Sequence, residues 1–231
     1  MAVTGTVNAG SASPSKHTFI VEHLDPELES WQLLEYKTIA AECVTSGSRF
    51  VLSGMSTSHA DLPQVEQSPQ HVEDFVKSAG VPHDRVCLLD PKGESDLSPA
   101  DGDLFDIFVF GGILGDDPPR DRTAELRVKG FKGRRLGVEQ LTTDTAARVT
   151  RIVVQDKVPL DQVPYVDRPN IEIAEGESVE MPFKYVKGRD GKPIMPEVRL
   201  STIVVWLQLT QTKGMAALLA SDADKGILDL L

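Results

Sequence analysis

Residues 104–112 read LFDIFVFGG, and the chain continues with ILGDDPPRDRT to Thr123. An almost continuous apolar run of this length is typical of a strand that is covered on both faces of a parallel sheet. Adjacent glycines at the end of such a strand let another group come close to the backbone. The stretch therefore predicts a buried central strand whose carboxyl end borders a binding site.

Strand and helix patterns alternate on both sides of this run. Apolar clusters predict strands over 17–23, 49–52, 85–91 and 134–137. Helical spacing predicts helices within 27–43, 68–80, 121–130 and 142–156. We expect Asp25 to cap the first of these helices with Pro26 at its first position, and Thr143 or Asp144 to cap the last. The alternation predicts a parallel α/β sheet with helices on both faces.

Three of the predicted strand ends carry unusual residues, namely LLDPKG (88–93), FGGILGD (110–116) and RRLGVEQLTTDTA (134–146). Ligands of parallel α/β sheets bind outside the carboxyl ends of the strands, so we expect these loops to form three walls of one pocket. Neither a P-loop nor a GxGxxG fingerprint is present, and Asp116 and Asp117 have the wrong sign for a pyrophosphate. Backbone amides beside Leu114, Leu136 and Leu141 suit an uncharged base. S-adenosylmethionine fits this chemistry, and a purely structural glycine-rich turn is the alternative.

Composition limits the classes of partner. The net charge of −11 argues against a surface built mainly to bind nucleic acid. Residues 116–151 nevertheless hold nine Lys/Arg against six Asp/Glu, so a locally basic site stays open. The apolar surroundings of Cys43 and Cys87 predict two buried free thiols in a reducing compartment, and we expect a cytoplasmic protein. The five histidines have no metal-binding spacing and are predicted to lie at the surface, and no apolar run is long enough to span a membrane.

Taken together, the three loops resemble the cofactor loops of SPOUT methyltransferases. Longer segments, including FIVEHLDPELESWQLLEYKTIA, FVFGGILGDDPPRDRTAELR and EMPFKYVKGRDGKPIMPE, resemble the eukaryotic SPOUT-type protein arginine methyltransferases that modify a small-subunit ribosomal protein. The resemblance covers roughly residues 16–197. It implies a deep trefoil knot in the C-terminal half of the domain, with S-adenosylmethionine bound bent within that knot.

The resemblance also assigns cofactor residues to the three walls. The first wall is Leu89, Asp90 and Pro91, and the second is Gly111, Gly112, Leu114 and Gly115. The third wall consists of Leu136, Gly137, Leu141, Thr143, Thr145 and Ala146. Arg120 and Arg122 could hold the carboxylate of the cofactor or pair with Asp117 or Asp121.

An arginine substrate is protonated at neutral pH and must lose a proton as its nitrogen attacks. A carboxylate can hold the guanidinium and accept that proton. We therefore predict Glu22 as the first candidate for substrate clamp and catalytic group, and Asp116 as the second. His23 and Asp117 are the further candidates for substrate contact. The structural alternatives are that Glu22 partners a helix N-terminus or an arginine, and that Asp116 caps a loop.

Three functions stay open. The first is an arginine methyltransferase acting on a basic ribosomal protein, which suits an acidic chain. The second is an RNA methyltransferase, although the sequence shows no separate RNA-binding domain. The third is a binding protein without catalysis. The resemblance implies a monomer rather than a dimer formed through the knot.

The domain boundaries follow composition and resemblance. Residues 1–15 are small and uncharged and predict a disordered tail. Residues 16–157 form the predicted methyltransferase domain, and 158–231 form an irregular extension packed on it. Segment 198–213, VRLSTIVVWLQLTQTK, departs from the family pattern and is interpreted as translated intron sequence or a faulty gene boundary, with a real insertion as the alternative.

Overall fold

The computed structural model describes residues 17–25, 27–111, 121, 123–174 and 177–196. Three sequence predictions lie outside these residues. They concern the segment 1–15, the segment 198–213, and Pro26 as the first residue of the first helix. The strands are β1 (Thr18–Glu22), β2 (Arg49–Ser53), β3 (Glu66–Gln67), β4 (Val86–Leu89), β5 (Ser95–Asp96), β6 (Ile107–Gly111), β7 (Lys132–Arg135), β8 (Tyr165–Asp167), β9 (Asn170–Ala174), β10 (Glu177–Glu180) and β11 (Lys184–Val186). The α-helices are α1 (Ser30–Ser46), α2 (Val72–Ser78), α3 (Asp101–Leu104), α4 (Ala124–Arg127) and α5 (Thr143–Val154).

Seven strands form one sheet in the order β3-β2-β1-β6-β4-β7-β5. Each neighbouring pair in this sheet is parallel. The predicted central strand is β6, which lies between β1 and β4 and is buried along its whole length. The predicted parallel α/β architecture is confirmed. The deep knot is not read from strand order alone and stays a prediction.

The two faces of the sheet are covered by different helices. Phe19, Phe108 and Leu89 point to the face that packs against α1 and α5. Ile20, Val109 and Leu88 point to the opposite face, where α2 and α4 pack. Side chains of a strand alternate between the faces, so neighbouring residues at each strand end face different surroundings.

Two predicted helix starts are wrong. Helix α1 begins at Ser30, because Glu29 and Gln32 form a capping box around its first turn; Asp25 instead accepts a hydrogen bond from the amide of Gln32 at 2.7 Å. Helix α5 begins at Thr143, with the preceding Thr142 in the capping position. Helix α2 ends close to the predicted stop, since Gly80 has a positive φ of 69°.

The cysteine prediction is confirmed, but the histidine prediction is wrong at two positions. Cys43 and Cys87 are both buried and free. His17 is buried and its Nε2 lies 2.7 Å from the carbonyl oxygen of Gly102. His23 is buried, and its Nδ1 lies 3.2 Å from the hydroxyl of Tyr36. Both rings therefore serve inside the fold rather than at its surface.

The segment after α5 packs against the domain, and its chain forms two antiparallel pairs, β9–β10 and β8–β11. Met181, Phe183 and Tyr185 form an apolar cluster with Trp31 of α1. Within the described ranges, no helix combines the length and apolar character needed to cross a membrane.

Candidate functional site

A pocket opens at the carboxyl ends of β4, β6 and β7. Its volume is about 550 Å³, including the part open to solvent. The three predicted loops meet here, as the parallel topology requires. The lining residues are Leu89, Asp90, Pro91, Phe110, Gly111, Leu136, Gly137, Glu139, Gln140, Leu141, Thr143 and Ala146.

Nine of the residues predicted to bind the cofactor lie in this lining, from all three walls. Thr145 is the exception among the described residues. It is fully buried and its hydroxyl accepts a hydrogen bond of 2.8 Å from Thr142, because it faces the inside of the first turn of α5. Seven other predicted site residues lie outside the described residues, namely Gly112, Leu114, Gly115, Asp116, Asp117, Arg120 and Arg122.

The shape of the third wall depends on backbone conformation. Gly137 has a φ of 89°, in the left-handed region that disfavours residues with a Cβ atom. No atom lies within 4 Å of the position that a Cβ would take, so the glycine is required by conformation and not by lack of space. The turn brings Leu136 and Leu141 to the same pocket.

The pocket fits an adenosine-containing cofactor without phosphates. Its lining is mostly apolar, and Leu136 and Leu141 are among the side chains that could contact a base. The side-chain oxygen of Gln140 is buried at the pocket and has no hydrogen-bond partner among the described residues. A buried acceptor of this kind is costly unless a ligand satisfies it. An amino or hydroxyl group of a bound nucleoside would supply the missing donor.

Asp90 contributes to the pocket through its position rather than through a free carboxylate. Its side chain is 2% exposed and accepts hydrogen bonds from Arg127 at 2.5 and 2.7 Å and from Thr123 at 3.0 Å. Burial raises the pKa of Asp90, but the bonds from Arg127, the amide of Lys92 and Thr123 outweigh burial and lower it overall. Asp90 is therefore charged and fixed to α4.

Glu22 lies beside the pocket but on the other face of the sheet. Its Cα is paired with Gly111 across β1 and β6. The carboxylate is 1% exposed and is contacted by the hydroxyl of Ser53, by Nδ1 of His71 at 2.5 Å and by the amide of Val72 at 3.0 Å. In this structure Glu22 therefore has the position that the structural alternative describes, as a partner for the N-terminus of a helix, here α2. Its role as a substrate clamp stays a prediction.

A second pocket borders Glu22 at the carboxyl ends of β1 and β2. Its charged and titratable side chains are acids and imidazoles, with no lysine or arginine among the described residues that line it. They are Asp25, Glu27, Glu125, His23, His59 and His71. Since Glu22 pairs with Gly111, this acidic pocket and the apolar pocket lie at neighbouring strand ends.

Sequence reasoning missed Phe110, Glu139 and Gln140 of the first pocket. All three lie within the quoted loop segments, so their place in those segments is the feature of the sequence from which they could be predicted. Glu139 forms an ion pair of 2.5 Å with Lys184 of β11, and the bond from Lys184 lowers the pKa of Glu139. The segment after α5 thus contacts the rim of the pocket, which no local pattern predicts.

The comparisons with known proteins agree with this site. Residues 18–205 match the family described as "Protein arginine N-methyltransferase SFM1-like". The chain is 40% identical over 200 residues to protein arginine N-methyltransferase SFM1 of Saccharomyces cerevisiae, covering 80% of this chain and 93% of that protein.

Two crystal structures of the yeast arginine methyltransferase SFM1 match the fold. The complex with SAM is 38% identical with a TM-score of 0.72, covering 81% of this chain and 89% of that chain. The complex with SAH gives the same identity and TM-score, covering 80% and 94%. The resemblance seen in the sequence is confirmed, and the chain belongs to the SFM1-like family of protein arginine N-methyltransferases.

Proposed function

We propose that the chain uses S-adenosylmethionine to methylate an arginine of a basic small-subunit ribosomal protein. The observation that carries this proposal is the register between Glu22 and Gly111, which sets an acidic pocket beside an apolar one. One pocket suits adenosine and the other suits a cationic side chain. Two such sites at neighbouring strand ends are what transfer between a nucleoside donor and a guanidinium requires.

The apolar pocket holds the cofactor in this proposal. Leu136 and Leu141 flank the base, and the side-chain oxygen of Gln140 accepts a hydrogen bond from the nucleoside. Gly111, which has no side chain, leaves space for the cofactor at the end of β6. S-adenosylmethionine supplies an electrophilic methyl group when bound. The yeast relative was crystallised with SAM and with SAH, which supports the same assignment for this chain.

The acidic pocket holds the guanidinium. Glu27 and Glu125 line it and form no ion pair with another described residue, so their charges are available to a cationic ligand. Glu22 stands behind His71, whose side chain is 66% exposed. An arginine that displaced His71 would reach the carboxylate of Glu22, which could then orient the guanidinium and accept its proton.

A basic protein is the substrate that the charge of the chain favours. The net charge is −11, and the residues around the second pocket add to a negative surface. Oppositely charged partners associate faster and more selectively than neutral ones. The packing of Met181, Phe183 and Tyr185 on α1 supports a monomer, since it covers an apolar face that a second copy could otherwise bury. We propose a cytoplasmic location with the ribosome as the source of substrate.

The test is methyl transfer from labelled S-adenosylmethionine to unmodified ribosomes, with RNA and protein then separated. We expect label in one small-subunit protein, recovered as methylarginine. The Glu27→Gln, Glu125→Gln double variant should raise KM for that protein, while Glu66→Gln, which removes a carboxylate paired with Arg49 at the amino-terminal end of β2, should not. Label confined to RNA would contradict the proposal.

A further inference from the structure

The segment 136–141 forms most of the third wall of the cofactor pocket. It follows β7 without regular secondary structure, and five of its six residues line the pocket. Within the described part of the chain, no backbone–backbone hydrogen bond joins this segment to another residue. At its turn, no atom lies within 4 Å of the place where a Cβ of Gly137 would stand. The position of this wall therefore depends on contacts made by its side chains.

A polar contact of this kind is made by Lys184 of β11. The Nζ of Lys184 lies 2.5 Å from Oε2 of Glu139, and no other ion pair of the described residues reaches the segment. The same Nζ lies 4.5 Å from the centre of the Tyr165 ring, within the range of a cation–π interaction. The side chain of Lys184 is 17% exposed, whereas that of Glu139 is 55% exposed.

The two ends of this ion pair are anchored differently. Strands β8 and β11 pair with Val186 opposite Tyr165. Val186 is buried in the main core, Tyr165 packs against that core, and Tyr185 is fully buried in the apolar cluster with α1. Lys184 therefore extends from a strand that is fixed by burial, whereas Glu139 belongs to a segment without backbone hydrogen bonds. The ion pair restrains the segment of Glu139 more than it restrains β11.

The low exposure of Lys184 makes this restraint effective. Two exposed, flexible side chains gain little from an ion pair, because both must be ordered to form it. Lys184 is already ordered by the ring of Tyr165 and by the strand that carries it, so the entropic cost falls mainly on Glu139. A wall that is held in place before the ligand arrives lowers the cost of binding that ligand.

We propose that Lys184 is a positioning residue that, through Glu139, holds the third wall of the cofactor pocket in the conformation that binds S-adenosylmethionine. The inference rests on the proposed function, in which this pocket holds that cofactor. It makes the hairpin of β8 and β11 a part of the cofactor site, although Lys184 does not line the pocket.

The first readout is the calorimetric Kd of S-adenosylhomocysteine. Lys184→Met removes the charge and keeps an unbranched side chain over Tyr165, and it should weaken binding by about fivefold, as the loss of one ion pair permits. Lys184→Arg, which keeps the charge, should bind like the wild type. Lys187→Met is the matched control, since Lys187 is an exposed lysine just beyond β11, and it should also bind like the wild type.

Glu139→Gln tests whether Lys184 acts through Glu139, and it removes the same ion pair from the exposed side if Lys184→Met does not fold. Each single variant should weaken binding by a similar factor, and the double variant should bind no more weakly than either one. Losses that multiply in the double variant would show that the two residues act independently, which overturns the proposal.

The second readout needs no ligand. In the unbound chain, the NMR order parameters of residues 136–141 should fall in Lys184→Met and in Glu139→Gln, while those of β4 and β6 should not change. Order parameters of 136–141 that stay the same in both variants, or that fall equally throughout the sheet, overturn the proposal.

The calorimetry also separates this inference from the proposed function. A wild-type chain that binds no S-adenosylhomocysteine overturns the cofactor assignment and this inference with it. A wild-type chain that binds S-adenosylhomocysteine with the same Kd as Lys184→Met and Glu139→Gln overturns the positioning role alone.

Discussion

The two faces of the sheet differ at the same edge. On the face of α1 and α5, Leu89 at the end of β4 and Phe110 near the end of β6 line an open, mostly apolar pocket. On the face of α2 and α4, Asp90 directly follows β4 and Glu22 ends β1, and the hydrogen bonds to both carboxylates come from this chain's own side chains and amides. Leu89 and Asp90 are consecutive residues of one motif and both border the apolar pocket, yet only Asp90 is held by an ion pair, with Arg127.

This difference follows from strand geometry. Alternate residues of a strand point to opposite faces, so a motif at a strand end serves two surroundings at once. A family motif such as LLDP therefore mixes residues that line the cofactor site with residues that fix the loop carrying it. Mutations that separate these two roles test the comparison.

The largest effect is expected from Asp90→Asn. This change removes the buried charge that binds Arg127 through two hydrogen bonds and leaves the guanidinium without its main partner. Removing one partner of a buried ion pair costs about 3 kcal/mol at the lower end of the usual range. We expect the lower end here because the side chain of Arg127 is 33% exposed. Urea unfolding measures the loss.

Asp96→Asn is the control for this change, because it breaks the exposed pair with Arg135. It should cost less than about 1 kcal/mol. Equal losses in the two variants would show that the face of α4 is not held by Asp90, and the comparison between the faces would fail.

A second effect should appear in binding rather than in folding. Leu136→Ala removes a partly buried side chain from the apolar wall, and the lost contact should weaken S-adenosylhomocysteine by about tenfold, or about 1.4 kcal/mol. Val138→Ala is the control, since Val138 is almost fully exposed and does not line the pocket. Calorimetry that finds the same Kd for both variants would contradict the assignment of the apolar wall.

A third, smaller effect concerns backbone conformation. Gly137→Ala places a Cβ on a residue with a φ of 89° and should destabilise the fold by about 1 kcal/mol. Gly80→Ala meets the same strain at a φ of 69°, also with open space around the added atom. Both should lower Tm alike, but Gly137→Ala alone should weaken cofactor binding. Equal affinities for S-adenosylhomocysteine in the two variants would contradict the claim that the turn at Gly137 shapes the cofactor pocket.

The last comparison is between two buried carboxyl groups, Asp90 and Glu35 of α1, whose stabilities should depend on pH in opposite directions. The lowered pKa of Asp90 contributes stability that is present above its ordinary value of 3.8 and is lost as the pH falls through the folded value. The raised pKa of Glu35 acts in reverse, because stability is full below its ordinary value of 4.5 and is lost as the pH rises towards the folded value. Unfolding free energies of Asp90→Asn should approach the wild type below pH 4, whereas Glu35→Gln should gain on the wild type above pH 5. Parallel curves for all three chains would contradict both assignments.

The sequence predicts most of the central sheet because its signals are local. The apolar run of β6 predicts a buried strand, and the motifs after β4 and β7 predict loops at a binding site. Parallel topology then brings Leu89, Gly111 and Leu136 to one edge of the sheet. The sequence predicts too early a start for α1, because Asp25 and Pro26 form a strong capping signal, while the actual cap at Glu29 is a residue type that seldom caps helices.

The parts that the sequence does not predict depend on distant partners. The pair of Glu139 with Lys184 joins residues far apart in the chain, and the pair of Arg148 with Glu42 joins α5 to α1. Strands β3 and β5 have two residues each, too few for a periodic pattern. The face of the sheet to which Asp90 points follows from the register of β4 in the sheet, and the local sequence does not give that register.

The most direct measurement is a crystal structure of the chain with S-adenosylhomocysteine. We expect the nucleoside in the pocket between Leu136 and Leu141, with a hydrogen-bond donor of the ligand on the side-chain oxygen of Gln140 and with Asp90 still bound to Arg127. A nucleoside seated instead in the acidic pocket of Glu27 and Glu125, or one that releases Asp90 from Arg127, would contradict the division of roles between the two faces.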